Sequence, residues 1–205
     1  MTFFDLKKMG KSTLFHFSFF LFPLLFAGCF NEPEPAYKSV PAENRVYLSD
    51  KGLKALPQVN AKADYLNLDR NQLEKADGVE KLVELKWLRL NDNKLAALPD
   101  LKGLVKLRRI YLRNNRFTAV PETLKDLPSL TDIDLSGNPI KEVPQWLAEK
   151  KGLKNLSFSR TQVSKLPENL EAWTSLQCLQ LGDLNISAAE MARIRSALPN
   201  VAIVF

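Results

Sequence analysis

The stretch that decides the reading is Leu85-Lys86-Trp87-Leu88-Arg89-Leu90-Asn91-Asp92-Asn93-Lys94-Leu95. Leu88 and Leu90 alternate with polar or bulky neighbours, so a short strand sends both into one interior and turns Trp87 and Arg89 the other way. Asn93 follows where the chain must bend. A side-chain amide there can bond backbone groups that the bend leaves open. Working outward, the same spacing returns at Leu107, Ile110, Leu112, Asn115 and Phe117, and again at Leu130, Ile133, Leu135, Asn138 and Ile140.

Looser copies flank these three. Leu66, Leu68, Asn71 and Leu73 lie before them. Leu153, Leu156, Phe158, Thr161 and Val163 lie after, followed by Leu176, Leu179, Leu181 and Ile186. Val46, Leu48 and Leu53 open the series, with Glu43 and Lys51 in the places of a Leu and an Asn. A period of 20 to 23 residues marks a stacked array, in which each unit leaves an apolar face that only its neighbours can cover. Leu98-Pro99, Val120-Pro121, Val143-Pro144 and Leu166-Pro167 recur at one phase and mark the return leg of each unit.

These motifs resemble the "typical" bacterial leucine-rich repeat of about 23 residues. The resemblance implies an α/β solenoid over residues 43–205, a curved horseshoe of about seven repeats. Parallel strands would line its concave face, with short helices or 3-10 turns on the convex face and Asn71, Asn93, Asn115 and Asn138 stacked as a ladder. At the far end, Ser187-Ala188-Ala189-Glu190 reads as a capping box. It opens a helix over about 187–198 with Met191, Ile194 and Leu198 on one face. A last strand over about 201–205 follows, with Ile203 set 22 residues after Leu181.

The N-terminus has a different character. Lys7, Lys8 and Lys11 precede an apolar run from Thr13 to Phe26, and Leu25-Phe26-Ala27-Gly28-Cys29 follows. A basic start, a short apolar stretch and small residues at the end describe an export signal. The run is shorter than the roughly 20 residues that span a bilayer as a helix. Ala27-Gly28-Cys29 resembles a bacterial lipobox, with Phe26 departing from its usual Leu. That likeness implies a signal peptide over 1–28, a lipid on Cys29, and placement in the cell envelope at the outer membrane or cell surface. Residues 29–42 include Asn31-Glu32-Pro33-Glu34-Pro35 and form a tether of up to about 40 Å when extended.

Composition narrows the chemistry. The chain has 205 residues and a net charge of +6. Without residues 1–28 it holds 26 basic and 22 acidic residues, a net +4 with no basic run of the kind that binds nucleic acid or anionic lipid. His16, the only histidine, lies within the signal, so the processed chain has no imidazole for general-base catalysis or metal binding. Two cysteines, Cys29 and Cys178, do not make a zinc site. The expectation is a non-enzyme without cofactor or metal.

Function is therefore expected on the outward strand positions. One row runs Arg45, Tyr65, Trp87, Arg109, Asp132, Asn155, Cys178; a second runs Tyr47, Asn67, Arg89, Tyr111, Asp134, Ser157, Gln180; a third includes Arg113. Tyr47, Tyr65, Trp87, Arg89, Arg109, Tyr111 and Arg113 gather in the first half and are the residue types enriched at interface hot spots. They form the expected site for a protein partner, with Asp132 and Asp134 as its acidic border. The same residues could instead pair among themselves across strands. The alternative function is a non-catalytic scaffold of the envelope or periplasm, and the chain is expected to be monomeric. Cys178 is expected to pack as a small half-buried side chain, with pairing to another chain as the other possibility.

Overall fold

The computed structural model describes residues 41–205, so the expected signal, Cys29 and most of the tether lie outside the described residues. Eight three-residue strands form one parallel sheet in chain order: β1 (Arg45–Tyr47), β2 (Tyr65–Asn67), β3 (Trp87–Arg89), β4 (Arg109–Tyr111), β5 (Asp132–Asp134), β6 (Asn155–Ser157), β7 (Cys178–Gln180) and β8 (Ala202–Val204). The middle residues stay in register, from Val46 beside Leu66 to Leu179 beside Ile203. Leu66, Leu88, Ile110, Ile133, Leu156 and Leu179 are fully buried, as are Leu68, Leu90, Leu112, Leu135 and Phe158 two residues on. Burying such a side chain contributes about 1.5–3 kcal/mol, and two inward residues per repeat give each strand enough to hold against its neighbours.

The Asn ladder has one geometry four times over. Asn93 Nδ2 donates to the carbonyls of Leu68, Leu90 and Asn91, while its Oδ1 accepts the amide of Leu73 in the preceding repeat at 3.0 Å. Asn115 and Asn138 do the same for Leu95 and Phe117, and Asn71 accepts both Lys51 and Leu53. At Thr161 the ladder stops, because the hydroxyl reaches only the Val163 amide at 3.4 Å.

One residue before each ladder position the backbone turns left-handed. Asp50, Arg70, Asp92, Asn114, Gly137, Arg160 and Asp183 all have φ between 52° and 68°. Asp and Asn tolerate that region best among residues with a side chain. At Gly137 a Cβ would lie 2.1 Å from Asn114 Oδ1, so space as well as φ calls for glycine there.

The return legs carry short helical turns: 3-10 turns at Val79–Lys81, Glu122–Leu124 and Leu170–Ala172, helix α1 (Gln145–Glu149), and helix α2 (Ala188–Ala197). Pro121 and Pro144 stand just before their turns, where a missing amide costs nothing. Leu82, Leu104, Leu127 and Trp173 bury one row of these legs. Lys150 occupies that row's place in the fifth repeat. Its Nζ donates to the carbonyls of Lys125 and Leu127 at 3.1 and 2.7 Å, and burial lowers its pKa.

Two details differ from the sequence reading. Ile203 pairs with Leu179, 24 residues earlier, so Phe205 takes the place opposite Leu181. The ten-residue helix α2 takes up more chain than the turns it replaces. The capping box is half formed: Ser187 Oγ accepts the Glu190 amide at 3.2 Å. The Glu190 carboxylate instead accepts the Leu166 amide at 2.9 Å and both Nε and Nη2 of Arg193 at 2.8 and 2.7 Å.

Candidate functional site: the concave face

Strand residues on either side of the inward Leu or Ile build the concave face. The register places Arg45, Tyr65, Trp87, Arg109 and Asp132 in one row, and Tyr47, Asn67, Arg89, Tyr111 and Asp134 in the next. At a strand spacing of about 4.8 Å, eight strands give a face roughly 34 Å long.

The first four strands carry a stacked strip. Tyr47 and Tyr65 have ring centroids 5.3 Å apart, and Tyr65 meets Trp87 edge-on at 6.1 Å. The Arg109 guanidinium lies 5.5 Å from the Trp87 ring centre, and that of Arg89 lies 5.4 Å from the Tyr111 ring. Contacts of this kind contribute about 0.5–1.5 kcal/mol each between aromatics and about 0.5–1 kcal/mol for a cation on a ring. Ion pairs fix the cations from the other side. Arg89 Nε bonds Asp69 Oδ2 at 2.8 Å, Arg109 Nε lies 3.8 Å from Asp132, and Arg113 lies 3.6 Å from Asp92. The third row ties strand to strand: Asp69 Oδ1 accepts the Asn91 amide, and Asn91 Oδ1 accepts the Arg113 amide.

Exposure corrects the expectation that these positions are free of packing. Tyr47 is 51% exposed and Arg113 is exposed, while Arg89 and Arg109 are partly covered. Tyr65, Trp87 and Tyr111 are buried, at 3%, 8% and 4%. Asp132 and Asp134 are buried too, and neither forms an open acidic border. Asp132 accepts from Asn155 Nδ2 at 2.6 Å and from the Thr131 hydroxyl. Asp134 Oδ1 accepts the amide and hydroxyl of Ser136 at 2.9 and 2.6 Å, and burial pushes its pKa up against those bonds. Cross-strand pairing among the aromatics and arginines is therefore present. It makes a rigid strip, held in place before any partner arrives. Spacing puts Asp69 and Asn91 in the third row with Arg113, but their roles depend on which neighbouring amide each faces.

Cys178 sits on β7 with its side chain buried, and it is not a free thiol. No cluster of His, Cys, Asp and Glu among the described residues could hold a metal ion. No helix among them is long and apolar enough to cross a membrane.

The leucine-rich-repeat family model matches residues 83–140, the three repeats nearest the consensus. The fold is that of a leucine-rich-repeat solenoid. The chain is similar to a solved leucine-rich-repeat protein of Leptospira interrogans at 25% sequence identity, with a TM-score of 0.60 over 75% of this chain. The repeat protein spans 46% of the length of that relative. No curated protein sequence matches it significantly.

Proposed function

We propose that this leucine-rich-repeat protein is an envelope-anchored lipoprotein that binds a protein partner through its concave face. The continuous strip of Tyr47, Tyr65, Trp87 and Arg109, flanked by Arg89, Tyr111 and Arg113, carries the reading. Interface energy concentrates in residues of these types when they are pre-organised, because little freedom is lost on binding. Tyr47 and Arg113 are the contact residues at the surface of the strip. Asp132 and Asp134 support it from below: Asp132 stands beside Arg109, and Asp134 bonds Ser136.

The partner is captured by cross-linking on whole cells and its affinity is then measured. Combined Tyr47→Ala and Arg113→Ala replacement is expected to weaken binding at least twentyfold, a hot-spot loss of about 2 kcal/mol. Unchanged affinity in a folded double variant would overturn the concave-face reading.

Anchoring rests on Ala27-Gly28-Cys29. A lipid thioether and a disulfide exclude one another at the sulfur of Cys29, and Cys178 is the chain's one other cysteine. The intact mass of the exported protein separates the two: a diacylglyceryl addition supports the anchor, and an unmodified mass two hydrogens short removes it.

A further inference from the structure

The edge of the solenoid where each strand begins has a character unlike the concave face. Val83, Val105 and Pro128 occupy one position in three successive repeats, two residues before the buried Leu85, Leu107 and Leu130. Val83 is 48% exposed and Val105 50%, two of the three large exposed hydrophobics among the described residues. Pro128 is exposed as well. The repeats meet closely here, since a Cβ on Gly103 would lie 4.0 Å from Val83 Cγ1. The three side chains thus form an apolar row roughly 10 Å long.

Cations border the row on both sides. Arg108 and Lys154 stand exposed where the strands start, Lys81 and Lys125 along the return legs, and Lys151 at the row's own position in the next repeat. The carboxylates of this edge are mostly engaged. Glu84 pairs with Lys106 at 2.6 Å, Asp64 with Lys86 at 3.1 Å, and Glu80 accepts the Gly78 amide at 2.7 Å. Asp126 and Glu149 remain exposed beside the cations. The outcome is an apolar row inside a positive rim.

The chain also enters the domain at this edge. Residues Ala42–Asn44 form a 3-10 turn that leads into β1. The Asn44 carbonyl accepts the Asp64 amide, as Asp64 does for Lys86 and Lys86 for Arg108, so residues before Arg45 arrive on the side of the positive rim.

We propose that this edge is a membrane-contact surface for anionic lipid. The valines and proline enter the headgroup layer while the lysines and Arg108 meet lipid phosphates, as interfacial protein surfaces do. The contact rests on the anchor reading for its orientation only. With Cys29 lipidated, this edge is drawn against the bilayer and the concave face stands open beside it.

Residues 41–205 contain all eight strands and the described apolar core, so this domain is tested without the N-terminal segment. It is co-sedimented with phosphatidylcholine vesicles that either lack phosphatidylglycerol or contain 30 mol% of it (about 30%, enough to set a negative surface potential). Binding is expected on the anionic vesicles alone. Each cation near such a surface contributes about fivefold, so Lys125→Glu with Lys151→Glu is expected to weaken binding more than tenfold. Val83→Asp with Val105→Asp is expected to abolish it with the melting temperature held, and the lysine pair gives the answer if the valine pair unfolds. Equal binding to both vesicles, none to either, or unaltered binding by the lysine variant overturns the proposal. An unlipidated Cys29 together with anionic vesicle binding would remove the anchor and leave the surface.

Discussion

Gly137 is where the left-handed turn of the repeat leaves no room for a side chain. Alanine there would be forced into φ 68° and would press on Asn114 Oδ1, whose amide donates to Asp92 at 2.6 Å. The backbone cost alone is about 1–2 kcal/mol. Gly137→Ala is expected to lower stability by about 2 kcal/mol in denaturant titration, with the slope unchanged. Asn115 behaves differently, because its amide serves two repeats at once. Asn115→Ala strands the buried Leu95 amide, at about 1–3 kcal/mol for an unsatisfied group, while the Leu90 carbonyl keeps its bond from Asn93. The sequence told these residues apart only in part. Asn115 was legible from its spacing. The left-handed turn before it was not, because Asp50, Arg70, Asp92 and Arg160 share no side-chain chemistry that announces a backbone angle.

At the scale of elements, the strands were readable to the residue, since the Leu-x-Leu signal states both which residues point inward and where each strand lies. Terminal elements were less so. Helix α2 was expected from its capping box, yet Glu190 turns away from Ser187 to hold Leu166 and Arg193, a tertiary use that no local pattern encodes. The register of β8 shifted with it. This joint has a pH signature. The bonds from Arg193 hold the Glu190 carboxyl below its usual range, against the opposing effect of burial. A carboxylate with a lowered folded pKa adds stability that is complete above its unfolded value, near 4.5, and is lost as pH falls through the folded one. Thermal melts of the native chain are expected to lose stability below about pH 4.5, and Glu190→Gln is expected to flatten that loss while costing stability at pH 7. A variant with the native acid slope would assign the loss to other carboxylates. The concave site divided along the same line: the row order followed from spacing, whereas the burial of Asp132 and Asp134 depended on neighbours in adjacent repeats.

Across the whole molecule, cohesion passes only between neighbouring repeats. The central strands are sealed on both sides. Val46 and Leu48 of the first repeat remain partly exposed. Local opening is therefore expected to begin at the N-terminal repeat. In native-state hydrogen exchange, the amides of Leu48 and Asp50, bonded to Asn67 and Asp69, should exchange well before those of Leu112 and Leu135. Equal protection along the array would mean that the chain opens only as one unit. Such a gradient leaves Tyr47, the exposed end of the aromatic strip, on the most yielding part of the face.

The ladder also has a direction. Asn93 completes the loop of the repeat before it, Asn115 the next, and Asn138 the one after; none completes its own. A growing polypeptide thus leaves each newest repeat with an unanswered loop amide until its successor has emerged. Closure travels from the first-made end to the last, one repeat in arrears, and the final repeats are sealed by helix α2 through Glu190 instead of by an asparagine. A chain halted partway through synthesis would carry one raw end, always the later one, and quality-control proteases would find it there.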